Sequence, residues 1–79
     1  MKREVIIPKM GANITEAKLL KWFKKQGEKV QDLEPLFEIE TSKAVFEVEA
    51  EYSGTLVEIL HQTGTFKENA VIGYIETDY

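Results

Sequence analysis

The sequence predicts an all-β fold, a sandwich built on a pseudo-twofold repeat. Three observations carry that prediction. Apolar and polar residues alternate with period two over residues 37–41 and 44–50, the signature of half-buried strands. Turn residues recur at short intervals, around Gly27, Ser53 with Gly54, and Gly64, as in a small sandwich or barrel. The chain also aligns on itself. At an offset of 37 residues, Leu19 and Leu20 fall on Leu56 and Val57, Trp22 and Phe23 on Ile59 and Leu60, and Gly27 on Gly64. One deleted residue later the offset is 36, with Val30 on Phe66, Asp32 on Glu68, Leu36 on Ile72 and Ile39 on Ile75. Two copies of strand, glycine turn, short strand, turn and strand imply two halves that exchange strands.

The elements follow in order. Residues 4–8 read as a first strand with Pro8, which cannot donate to a ladder, at its end or on an edge. Residues 9–17 are polar, contain Gly11 and Asn13, and read as a loop; Thr15 and Glu16 offer a helix cap, but nothing periodic follows. Residues 17–25 fit helical spacing nearly as well as strand spacing and lack β-branched residues, so propensity leans to helix. Their repeat partner, 55–60, is the more convincing strand, and the repeat tips both copies to strand. Gly27 and Gly64 supply positive φ at turns. Residues 31–34 and 67–70 form turns before the two late strands, the first opened by Pro35. The predicted core holds Val5, Ile7, Leu19, Trp22, Val30, Ile39, Phe46, Val48, Leu56, Ile59, Ile72 and Ile75. The repeat further predicts that the termini lie together on the sheet opposite the hairpin, with residues 5–7 pairing near 71–75.

At 79 residues the chain has the length of one small domain, and its 43% apolar content suits a globular one. Without cysteine there is no disulfide framework and no thiolate metal site, which a reducing compartment permits. The formal charge of −4 and the scattering of Lys24, Lys25 and the other lysines among acids argue against nucleic acid. No apolar run reaches the length of a membrane helix, and the first residues do not form a signal peptide. His61 stands alone, without metal-ligand spacing, and Trp22 reads as core filler.

Only Ser42 and Lys43 separate the alternating runs 37–41 and 44–50, so the segment reads as a hairpin with a lysine at its tip. A tight hairpin ordinarily uses Asn-Gly or Asp-Gly, so a Ser-Lys tip gives up turn propensity. Taken alone, a lysine at a turn is a solvated charge. Its surroundings change that reading. Glu40-Thr41-Ser42-Lys43-Ala44 resembles the Glu-Thr-Asp-Lys-Ala signature of lipoyl domains, the swinging-arm carriers of 2-oxoacid dehydrogenase complexes. The resemblance runs from about Ile6 to Ile75 and takes in residues 21–30 and 54–60.

This resemblance, to the biotinyl/lipoyl attachment family and its dihydrolipoyl acyltransferase members, implies a flattened barrel-sandwich hybrid of two four-stranded antiparallel sheets. Residues 1–79 would be a single lipoyl domain. It implies lipoic acid in amide linkage to Lys43, attached by a lipoate ligase or lipoyl transferase, with Glu40, Thr41, Ser42 and Ala44 recognised around it. Acyl groups and electrons would then pass among a thiamine-dependent decarboxylase, an acyltransferase and a dihydrolipoyl dehydrogenase of a 2-oxoacid or acetoin-type complex. Such a domain is a monomeric carrier with no catalysis of its own. It binds neither nucleic acid nor membrane and works in the cytoplasm, or in the mitochondrial matrix of a eukaryote. No Ala/Pro-rich linker follows within the chain, as in an excised or free-standing domain.

The family usually has Asp at the position of Ser42, and glycine at those of Leu33 and Asn69. Leucine is disfavoured in the left-handed region, so the turn at Leu33 is expected to be differently shaped. Biotin carriers flank their lysine with methionines, against which Ser42 and Ala44 argue; Ala44 is expected to turn toward the core. The glycine-cleavage carrier is similar but longer. An unmodified structural or adaptor sandwich is the reading from another class. Glu38, Glu40, Glu47, Glu49 and Glu51 fit either an ordinary solvated face or a surface that partners recognise by charge.

Overall fold

The alternation read along the chain becomes eight strands, seen in a computed structural model that describes all 79 residues. They are β1 (Lys2–Ile6), β2 (Glu16–Trp22), β3 (Lys29–Val30), β4 (Pro35–Glu40), β5 (Val45–Glu49), β6 (Gly54–Ile59), β7 (Gly64–Lys67) and β8 (Val71–Glu76). They form two four-stranded antiparallel sheets, one ordered β1-β8-β6-β3 and the other β5-β4-β2-β7. Residues 16–22 are strand, so pairing with two neighbours overrides their helical propensity. The first strand lies at Lys2–Ile6 rather than 4–8, which leaves Pro8 beyond the ladder. No helix is long and apolar enough to cross a membrane.

Replacing β1, β8, β6 and β3 by β5, β4, β2 and β7 turns one sheet order into the other, which is the predicted pseudo-twofold relation. The irregularities repeat as well. A bulge at Leu20 in β2 has its counterpart at Val57 in β6, and shifts at Pro35/Phe37 and Val5/Ile6 disturb the two β-edge pairings. Strands are exchanged between halves: β3 joins the sheet of β6 and β8, and β7 joins that of β2 and β4.

The turn at Leu33 corrects one expectation. Leu33 and Asn69, 36 residues apart, both adopt positive φ, 74° and 70°. The Leu33 amide donates to the Ala50 carbonyl (2.8 Å) as the Asn69 amide donates to that of Ile7 (2.7 Å). Leucine therefore takes the turn shape of the repeat in spite of its Cβ. The surrounding bonds over-determine the backbone there.

The core corrects the predicted list in part. Val5, Ile7, Leu19, Val30, Ile39, Leu56, Ile72 and Ile75 are buried, as are Ile14, Ala17, Leu36, Phe37 and Ala50. The bulge at Pro35/Phe37 turns two successive side chains, Leu36 and Phe37, inward, which strict alternation does not anticipate. Trp22, Val48 and Ile59 pack against the core only half-buried. Phe46 is exposed, because β5 is an edge strand with no neighbour on its outer side. Trp22 lies 5.4 Å from the Phe37 ring and donates through Nε1 to the His61 carbonyl (2.8 Å). At Gly73, the repeat partner of Phe37, an added Cβ would lie 2.7 Å from the Glu58 carbonyl oxygen and 3.1 Å from the Trp22 ring, so only glycine fits.

The chain ends meet as predicted. Val5 pairs with Gly73 and Ile6 with Val71, and the Met1 ammonium bridges Glu76 at 2.6 Å. Tyr79 borders a cleft with Gln31 and Ser53, close to where β4 begins. Six strand residues advance about 20 Å, so the β4–β5 turn projects from the end of the molecule away from the termini.

Candidate functional site: a lysine on a tied hairpin turn

The last ladder pair of the β4–β5 hairpin is Glu40 with Val45, so the turn spans four residues, 41–44, rather than the two expected. Thr41 replaces the missing glycine. Its amide donates to the Ala44 carbonyl (2.9 Å), and its Oγ1 accepts from the amides of Lys43 (3.2 Å) and Ala44 (3.3 Å). A threonine hydroxyl that gathers the backbone amides ahead of it is a local substitute for turn propensity. The backbone of Lys43 is held while its side chain is left to solvent.

Lys43 is exposed and takes part in no ion pair; the three pairs are Met1–Glu76, Lys2–Glu58 and Lys24–Glu34. Ser42 and Glu40 are exposed, and Thr41 is half-buried. Ala44 is exposed too, against expectation, because the four-residue turn lifts it off the ladder and out of the inward row. Glu40, Thr41 and Ser42 border a polar groove whose other wall is Asn13, Thr15 and Lys18, with Thr65 beside them. The part played by residues 13–16 was not read from sequence. Its signal is Ile14, an isolated apolar residue in a polar loop, which is buried and pins that loop beside the tip.

The five acids separate. Glu38 and Glu40 face Lys21 and Lys18 across β2, which leaves their charge locally balanced. Glu47 lies opposite Glu38, and Glu49 opposite Pro35 at the far end of the hairpin, so neither has a cationic cross-strand neighbour. Glu51 lies beyond β5. The acids are spread along β4, β5 and the residues after it rather than ringing the lysine. Elsewhere, Glu34 Oε1 accepts from the Gln31 amide (2.6 Å) and its other oxygen lies 3.1 Å from Lys24 Nζ. The backbone bond first and the lysine second hold its carboxyl below the usual glutamate range. His61 packs on Phe66, ring centroids 4.8 Å apart, and no group of three His, Asp or Glu side chains gathers to hold a metal.

A rigid sandwich that offers one unpaired lysine on a tied turn, far from its chain ends, is the form of a carrier domain: the body positions and the tip is presented. The chain belongs to the biotin–lipoyl attachment family, described as biotin-requiring enzyme and matched over residues 3–75, and within it to the lipoyl domains, which are swinging-arm carriers. It is 44% identical over 77 residues to the dihydrolipoyllysine-residue succinyltransferase component of the 2-oxoglutarate dehydrogenase complex of Bartonella vinsonii, covering 96% of this chain and 19% of that protein. It is 40% identical over 65 residues to the acetyltransferase component of the pyruvate dehydrogenase complex of Rickettsia bellii, covering 82% of this chain and 16% of the relative. The branched-chain lipoamide acyltransferase component of Arabidopsis thaliana is 36% identical over 61 residues, 77% of this chain and 13% of that protein. The chain thus spans about a fifth or less of the length of these relatives.

Proposed function

We propose that residues 1–79 form one lipoyl carrier domain, with lipoic acid joined by an amide to Nζ of Lys43, serving a 2-oxoacid dehydrogenase complex. The observation that carries this is the state of Lys43: exposed, free of any ion pair, and standing on a turn whose amides are tied to Thr41. The residues fit the group, since an arm that sweeps needs a fixed root and an open amine. When bound, the dithiolane supplies acyl transfer and two-electron redox chemistry. The protein supplies position and a raised local concentration at neighbouring active sites. The domain itself has no catalysis of its own.

Ser42 and Ala44, both small, favour a lipoate ligase or lipoyl transferase over a biotin ligase, and Glu40 and Thr41 complete the surface such an enzyme meets. The named relatives are components of 2-oxoglutarate, pyruvate and branched-chain complexes. By likeness to them, this domain visits a thiamine-dependent decarboxylase, an acyltransferase and a dihydrolipoyl dehydrogenase, as a monomer in the cytoplasm. The test is lipoylation followed by intact mass and a peptide map. Lys43→Ala is expected to abolish the mass increment, whereas Lys24→Ala and Lys25→Ala retain it; lipoate mapped to any other lysine overturns the assignment.

A further inference from the structure

The pseudo-twofold relation pairs the two edge strands that carry the chain ends and the lysine turn. In their ladders Lys2, Arg3 and Glu4 pair with Glu76, Ile75 and Tyr74, whereas Val45, Phe46 and Glu47 pair with Glu40, Ile39 and Glu38. Since Glu76, Ile75 and Tyr74 follow Glu40, Ile39 and Glu38 by 36 residues, Lys2 corresponds to Val45, Arg3 to Phe46 and Glu4 to Glu47. The two edges are the same structure with different protection. On β1, Lys2 bridges Glu58 (3.5 Å) and covers the Tyr74 ring, and the Arg3 guanidinium sits between Tyr52 and Tyr79, 5.5 and 5.6 Å from their centroids. Charged residues on an edge are a standard guard against strand addition. On β5 the same two positions are Val45 and Phe46, 51% and 43% exposed. The two basic guards are missing on the edge that leads from Lys43, where only Glu47 and Glu49 are charged.

That edge is chemically specific. Ladder bonds alternate in an antiparallel pair, and the turn bond between Thr41 and Ala44 sets the phase, so the amides and carbonyls of Val45 and Glu47 point outward. On the inner side Phe46 lines a shallow groove with Pro8, Met10, Ile39 and Val48, bordered by Lys9 as well as by Glu47 and Glu49. On the outer side Glu47 and Glu49 have no cationic neighbour across the ladder. A strand laid along β5 would meet apolar surface on one side and carboxylates on the other.

We infer that β5 is a strand-addition site for an extended protein segment in which basic residues alternate with apolar ones. Its basic side chains oppose Glu47 and Glu49, its apolar ones enter the Phe46–Met10 groove, and its backbone takes the free bonds of Val45 and Glu47. A second copy of this chain is the wrong occupant, since it brings its own Glu47 and Glu49 to the same carboxylates. The site needs no modification of Lys43. Its effect is to seat a partner beside the lysine turn, two residues from Lys43.

The test is a titration of the isotope-labelled 79-residue chain with acetyl-Lys-Val-Lys-Val-Lys-Val-Lys-amide, followed by amide shifts and hydrogen exchange. A Lys-Pro peptide of equal charge, unable to form the ladder, is the control. The expected result is binding of the Lys-Val peptide with shifts at residues 45–49 and slowed exchange of the Val45 and Glu47 amides, and at least tenfold weaker binding of the Lys-Pro peptide. The pair Val45→Lys, Phe46→Arg, which copies β1, is expected to weaken binding at least tenfold. Val45→Lys alone, at a half-exposed site, does so in the same direction should the pair fail to fold. Equal binding of the two peptides, shifts centred on β1, concentration-dependent self-association through β5, or no binding at millimolar peptide would each overturn the inference.

Discussion

Thr41 stands to Ala44 as Thr77 stands to Met1. The Thr41 amide donates to the Ala44 carbonyl at 2.9 Å and the Thr77 amide to the Met1 carbonyl at 2.8 Å. The hydroxyls lie 3.3 and 3.1 Å from the same two oxygens. The junction of the chain ends is therefore the lysine turn of the other half, left open. One threonine, repeated 36 residues on, organises both.

Removing the hydroxyl tests that role. Thr41→Val keeps the shape and loses the acceptor of the Lys43 and Ala44 amides, whose exchange should accelerate while Thr41→Ser keeps it slow. Water replaces the exposed bonds, so stability falls by only about 0.5–1 kcal/mol. Thr77, 3% exposed, has no such relief, and Thr77→Val should cost about 1–3 kcal/mol in denaturant unfolding. Equal losses at the two sites would contradict the difference in burial.

Leu33 holds positive φ with its side chain 66% exposed, so it bears the cost of the left-handed region with little burial in return. Leu33→Gly should raise stability by about 1 kcal/mol, and Leu33→Asn by somewhat less. For a domain this size that is roughly 4–8 °C in Tm. An unchanged or lowered Tm would mean that the leucine side chain contributes more than its exposure suggests.

Glu34 predicts a pH dependence. Its folded carboxyl is held low by the Gln31 amide and by Lys24, so its stabilising effect is complete above the ordinary glutamate range and is lost as pH falls through the lowered folded value. Glu34→Gln should therefore be less stable than wild type near neutrality and converge on it in acid. Carbon-detected titration should find the Glu34 carboxyl below the other glutamates; the reverse order would remove the basis for the claim.

The exposure of Ala44 bears on acceptor choice. Ser42→Met with Ala44→Met should raise biotinylation by a biotin ligase, since both side chains flank Lys43 in solvent. Substitution at exposed sites changes stability by no more than about 0.5 kcal/mol, so the variant should unfold with the wild type. Wild type that takes biotin as readily as lipoate would show that these neighbours do not decide.

The self-alignment of the sequence carried most of the fold, because Leu19 and Leu56, or Ile39 and Ile75, occupy equivalent buried places in two halves. It resolved residues 16–22, where propensity alone pointed the wrong way. Period-two reasoning failed where the backbone leaves the period: at the bulge that buries both Leu36 and Phe37, and at the four-residue turn that exposes Ala44. It misjudged Phe46 because burial on an edge strand depends on what lies beside it, which no local pattern records. At the lysine turn, the pattern and the resemblance led to Lys43, whereas the tie through Thr41 and the groove wall at 13–16 depend on distances that spacing does not contain.

The pairing of β1 with β8 sets a schedule for synthesis. Of the eight strands, β1 is made first and finds its ladder partner some 70 residues later, between Lys2–Ile6 and Val71–Glu76. At about 5–20 residues per second that is a wait of roughly 4–14 s. A bare apolar strand left alone for so long invites association with other chains. The strand with the longest wait opens with Lys2, Arg3 and Glu4, so the charges that later guard a finished edge first keep a nascent one solvated.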